Sequence, residues 1–80
     1  MSLFRDTVTI HKMNGEKIAG VTASVQKKVH FKDVTLPIED GDIIEQELPS
    51  GLVKKMLVTD VRVYSGYGRL DHIEVEYTKA

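Results

Sequence analysis

The run Thr7-Val8-Thr9-Ile10-His11-Lys12-Met13-Asn14-Gly15-Glu16-Lys17-Ile18 decides the fold class. Its first five residues alternate polar and apolar, the period-two pattern of a half-buried strand. Asn14-Gly15 is the strongest short hairpin signal, because both residues tolerate the positive φ that a type I′ turn requires. Residues 18–29 then read as the return strand. Val21, Ala23 and Val25 share one face; Thr22, Ser24 and Gln26 share the other. Gly20 inside this run predicts a bulge or a sharp bend, and Lys27-Lys28 marks the exposed end.

The pattern continues downstream. Residues 31–42 are less regular: Leu36-Pro37 interrupts a ladder, since proline donates no hydrogen bond, and Asp40-Gly41-Asp42 turns the chain. A short helical turn over residues 29–36 is allowed. Residues 43–48 read as a third strand. Leu48-Pro49-Ser50-Gly51-Leu52 is a tight connection, with Pro49 fixing φ and Gly51 free to go left-handed. Residues 52–64 form the longest strand. Val53, Leu57, Val61 and Val63 fall on one face and Met56 and Val58 on the other, so this strand is covered on both sides or curls between two sheets. Residues 70–77 close the set, with Ile73, Val75 and Tyr77 opposite His72, Glu74 and Glu76. The expectation is an all-β single domain over residues 1–80, a small five-stranded antiparallel barrel or rolled sheet with at most one short helical turn. Closure removes the exposed edges that invite aggregation. An open meander is the alternative.

Composition narrows the function classes. The chain has 80 residues, 41% hydrophobic and 29% charged, which suits one globular domain with a thin core. Eleven basic and 12 acidic residues give a net charge of -1, without the basic excess of a dedicated nucleic-acid binder. There is no cysteine, hence no disulfide, thiolate metal site or cysteine nucleophile. No apolar run reaches the ~18 residues of a membrane helix, and the N-terminus lacks a secretory pattern. A cytoplasmic location is the expectation.

No catalytic constellation emerges. The serines avoid the G-x-S-x-G elbow. Gly66-Tyr67-Gly68-Arg69 lacks the helix and lysine of a phosphate loop. The carboxylates of Glu39-Asp40-Gly41-Asp42, with Glu45 and Glu47, read as a solvated turn and a charged edge strand. His72, Glu74 and Glu76 form a row on one strand face that can hold a cation weakly; solvated strand-face residues are the preferred reading, and no metal or cofactor is assigned. The expectation is that the chain is not an enzyme.

Two surfaces stand out. Tyr64, Tyr67 and Arg69 cluster around two glycines, and Tyr and Arg dominate interface hot spots. Lys27, Lys28, Lys54 and Lys55 are candidate phosphate contacts, provided folding brings the two pairs together.

Three segments also carry a resemblance. Gly41-Asp42-Ile43, Leu48-Pro49-Ser50-Gly51-Leu52 and Tyr64-Ser65-Gly66-Tyr67-Gly68 resemble a group of short uncharacterised bacterial β proteins. Those carry G-D-x-I, L-P-N-G-L and Y-x-G-F/Y-G-G-I, then a histidine before a final V-x-V strand. Here Ser50 replaces Asn, Arg69 replaces Gly, and the spacing to His72 is one residue shorter. The resemblance covers the second half of the chain and implies no activity. Val58, Asp60, Val61, Gly68, His72 and Val75 also resemble, more loosely, the small β-barrel head-tail connector proteins of tailed phages, which would imply a ring-forming structural protein.

The expected function is therefore a non-catalytic protein–protein interaction or assembly module, of phage or mobile-element origin, with a protein partner or self-association through Tyr64, Tyr67 and Arg69. The alternatives are a small-barrel nucleic-acid binder using the four lysines with Tyr67 stacking on bases, and a nucleotide-type ligand bound between subunits.

Overall fold

The computed structural model describes residues 6–66 and 71–80. Six strands follow in order: β1 (Asp6–His11), β2 (Lys17–Val25), β3 (Val29–Phe31), β4 (Ile43–Glu47), β5 (Val53–Tyr64) and β6 (His72–Lys79). They close into an antiparallel barrel in the order β1-β2-β3-β6-β5-β4. Two three-stranded meanders are thus joined twice, by β1 on β4 and by β3 on β6.

The barrel has six strands rather than five, and no helix occurs among the described residues. The added strand is β3. The predicted return strand of residues 18–29 ends at Val25, and a hairpin over Gln26-Lys27-Lys28 reverses it so that Val25 faces Val29. The Gln26 amide donates to the Lys28 carbonyl at 3.1 Å. This turn uses no glycine, asparagine or proline, the residues by which turns are recognised. The segment 32–42 turns at Asp33, whose carboxylate accepts from the Thr35 amide at 2.9 Å and from its hydroxyl.

The β1–β2 and β4–β5 hairpins follow glycine chemistry. The Lys12 amide donates to the Glu16 carbonyl at 2.8 Å, and the Gly15 amide to the Lys12 carbonyl at 3.0 Å. Gly15 has φ +92, while among the described residues no non-glycine residue has positive φ. The turn is therefore a three-residue loop with one left-handed glycine, not the predicted type I′ turn with Asn14 left-handed as well. Leu48, Leu52 and Gly51 repeat the same hydrogen-bond pattern at 2.7 and 2.9 Å.

Two register shifts set the barrel's curvature. The first lies where β1 passes Val8 to Ile10 opposite Val21 to Ile18, at Gly20, as the glycine predicted. The second lies between Val58 and Asp60 on β5. A bulge adds one residue and swaps which parity faces inward. This explains the two-faced apolar pattern of β5: Met56 and Val58 point inward before the bulge, and Val61 packs inward after it.

The interior is filled by Val8, Ile10, Ala23, Val29, Phe31, Ile38, Ile44, Met56, Val58, Ile73 and Val75. Asp42 joins them as a fully buried charge, so the acidic turn is not solvated throughout. Nor is β4 an edge strand, since it pairs with both β1 and β5. Lys12, on the β1–β2 loop, reaches across to Asp42 Oδ2 at 2.6 Å and to the Pro37 carbonyl. The Gly41 amide donates to the Val58 carbonyl and the Val58 amide to the Asp42 carbonyl, both at 2.9 Å. Gly41 has φ +93, and a Cβ there would meet the Met13 sulfur at 2.7 Å. The 32–42 connection is thereby pinned to both meanders.

Candidate functional site

With the interior packed, the polar groups that can meet another molecule lie on the outside. The densest group sits on β3, β6 and β5. Along β6, Ile73 and Val75 point into the core, so His72, Glu74 and Glu76 point outward. Register places His30 and Arg62 on either side of Glu74, and Tyr64 beside His72. The Tyr64 and His72 rings stack at 4.8 Å with 16° between their planes. The His30 and His72 rings lie 6.0 Å apart. Tyr64 is therefore half-buried on the outer face of the sheet, beside His72.

Charges knit this face together. Lys28 Nζ donates to Glu74 Oε1 at 2.8 Å and lies 3.5 Å from Glu76. Arg62 Nε donates to Asp60 at 3.1 Å, and its hydrogen bonds to Tyr64 and Asp60 hold the guanidinium above its ordinary range. The Lys28 hydrogen bond holds the Glu74 carboxyl below the usual carboxylate range; partial burial opposes this, and the charges of Lys28, His30 and Arg62 add to it. The same hydrogen bond and charge hold Lys28 above the ordinary lysine range.

The sign of the linkage follows. A depressed carboxylate stabilises the fold above its unfolded value, about 4.3, and that contribution disappears as pH falls through the lower folded value. The stability difference between the wild-type chain and Glu74→Gln is expected to be constant near neutrality and to shrink below pH ~4, measured by urea unfolding at a series of pH values. A difference that grew on acidification would contradict this pairing.

Of the residues singled out in the sequence, Tyr67 and Arg69 lie outside the described residues. The two lysine pairs are brought partly together. Lys54 Nζ lies 5.6 Å from the centre of the Tyr77 ring, and the Tyr77 hydroxyl donates to the Gln26 carbonyl at 2.7 Å, next to Lys27. Lys54 and the Lys27-Lys28 turn thus share one end of the barrel. Lys28 is engaged by Glu74 and Glu76, and Lys55 sits opposite Glu45 on another face.

Sequence reasoning missed His30 as a site residue, because it falls just past the predicted return strand of residues 18–29 and no predicted strand sets it beside Glu74. The apolar-polar-apolar run Val29-His30-Phe31 was the available signal. A further histidine, His11, has its Nε2 3.3 Å from Glu45 Oε2, without the geometry of a hydrogen bond.

The projecting end of β5 is the other notable feature. β5 pairs with β4 only over Val53–Leu57, but with β6 from Met56 to Tyr64. Among the described residues no strand pairs with the β4-side edge of residues 60–64. Val63, 55% exposed, and half-buried Tyr64 lie there.

No helix among the described residues is long and apolar enough to cross a membrane. Comparison of the chain with protein-family models, with curated proteins and with solved structures found no match.

Proposed function

We propose that this chain is a non-catalytic protein–protein interaction or assembly module. Its partner surface is the end of β5 that extends past β4, centred on Tyr64, with Tyr67 and Arg69 following it in the sequence. The observation that carries the reading is the β4-side backbone edge of residues 60–64, which pairs with no strand among the described residues. An exposed edge is a template to which a partner adds a strand, main-chain hydrogen bonds supplying affinity and flanking side chains specificity. Asp60 and Arg62, charged and paired with each other, limit indiscriminate edge-to-edge association. The resemblance to phage connector barrels agrees with an assembly role and favours a phage or mobile-element origin.

The test combines two measurements. Sedimentation velocity of the pure chain reads self-association. Capture from a native lysate, split into nuclease-treated and untreated halves, reads other partners. Tyr64→Ala is expected to weaken the complex by about 30-fold, the size of a loss of ~2 kcal/mol at an interface hot spot. A protein complex that survives nuclease and weakens with Tyr64→Ala supports the reading. A complex indifferent to Tyr64, Tyr67 and Arg69 substitutions overturns the assigned surface.

A second reading, a small-barrel nucleic-acid binder, draws on the approach of Lys54 to the Lys27-Lys28 turn beside Tyr77. Its affinity would fall steeply with salt. The engagement of Lys28 by two carboxylates counts against it, and capture abolished by nuclease would reverse the order of the two.

A further inference from the structure

One ring nitrogen each from His30 and His72 and a carboxylate oxygen of Glu74 all lie within 4.8 Å of one another. Two neighbouring strands place them. His30 is directly opposite Glu74 in the β3–β6 register, and His72 is two residues from Glu74 on the same face of β6. We infer that these three side chains form a binding site for a late first-row divalent metal ion, of which Zn²⁺ is the type.

The donor set selects the metal. Two imidazoles with one carboxylate suit zinc and its neighbours, whereas calcium and magnesium demand more oxygen ligands than the three residues supply. Around a tetrahedral zinc with bonds near 2.0–2.1 Å, ligand atoms stand about 3.4 Å apart. The three side chains therefore need to close by little more than an ångström. Side-chain rotation on a half-buried face achieves that, while the strand register keeps the backbone in place. Three protein ligands leave a fourth position facing outward, for water or for a donor from a partner molecule. The site does not depend on the assembly reading.

Lys28 is the built-in competitor. Its ammonium holds Glu74 Oε1, and Glu76 lies within reach at 3.5 Å as an alternative partner. A cation entering the site must displace Lys28 toward Glu76 or tolerate its charge, with Arg62 on the far side of Glu74 adding to the repulsion. Removing the Lys28 charge should therefore tighten metal binding, a result that nonspecific association with surface carboxylates would not single out.

The experiment is calorimetric titration of ZnCl₂ into the full chain, free of any histidine tag, with histidine ring resonances followed by NMR. The expected result is one Zn²⁺ per chain, with the His30 and His72 rings shifting together and the His11 ring unmoved. His30→Ala and His72→Ala should each weaken binding by at least about 10-fold, since even the outer partners of metal ligands contribute that much. Lys28→Met should strengthen it several-fold. The NMR readout uses the wild-type chain, so it stands even if a variant folds poorly. No binding up to millimolar Zn²⁺, a ring shift confined to His11, or equal affinity in a folded His30→Ala chain would each overturn the site.

Discussion

Asp42→Ala is expected to lower the unfolding free energy by about 3–5 kcal/mol, the cost of removing one partner from a buried ion pair. Asp42 is fully buried and the Lys12 side chain is 9% exposed. Asp42 Oδ2 accepts from Lys12 Nζ at 2.6 Å and from the Glu39 amide at 2.9 Å, while Oδ1 is buried with no partner. Without the carboxylate, the ammonium keeps the Pro37 carbonyl and the exposed Glu39 carboxylate at 3.5 Å. The 32–42 connection loses its main tie to the β1–β2 hairpin. Whole-domain stability for 80 residues is on the order of 4–12 kcal/mol, so the loss is a large share of the total. Burial alone would lower the Lys12 pKa, but the Asp42 hydrogen bond and charge, with Glu39, outweigh it and raise it. A raised lysine contributes fully below its ordinary range, and that contribution is lost as pH rises through the raised folded value. At neutral pH the contribution of Lys12 is therefore wholly in force. Urea unfolding of Asp42→Ala, Lys12→Met and the double variant gives the coupling. The double loss should fall well short of the sum of the singles, because each single change strands the other group. Singles that each cost under ~1 kcal/mol would refute a structural role for the pair.

That pair also shows where the sequence stops being legible. Glu39-Asp40-Gly41-Asp42 reads as a solvated turn, since nothing local says that one of its carboxylates is buried against a lysine 30 residues earlier. Local signals served well where turn chemistry is local. Gly15 and Gly51 mark two loops of the same hydrogen-bond pattern, and the alternation of β1 and β6 sets their inward faces. The strand β3 failed the same test for the opposite reason, because its hairpin over Gln26-Lys27-Lys28 carries none of the residues that announce a turn. The consequence reached the surface. With β3 hidden, His30 has no neighbour, and the row His72, Glu74, Glu76 reads as solvated strand-face residues. On β5 the apolar residues on both faces were visible, but not the bulge between Val58 and Asp60 that reconciles them.

The same short strand yields the second large prediction: Phe31→Ala is expected to cost about 3–5 kcal/mol, enough to unfold a large fraction of the molecules in a domain of this size. Phe31 is fully buried, opposite Ala23 on β2 and Ile73 on β6. The small Ala23 stands directly opposite the ring on β2. Position matters as much as volume. β3 has only three residues, and through them it makes the strand pairing between the first meander and β6. A cavity there weakens one of the two seams that close the barrel. At about 4–8 °C per kcal/mol for a domain of 60–100 residues, the thermal midpoint should fall by at least ~12 °C. Val63→Ala removes an apolar side chain that is 55% exposed, and it should stay within about 0.5 kcal/mol of wild type. Parallel thermal melts by circular dichroism compare the two. If Phe31→Ala melted within a few degrees of Val63→Ala, β3 would not be a structural member of the ring, and His30 would lose the rigid placement that sets it against Glu74.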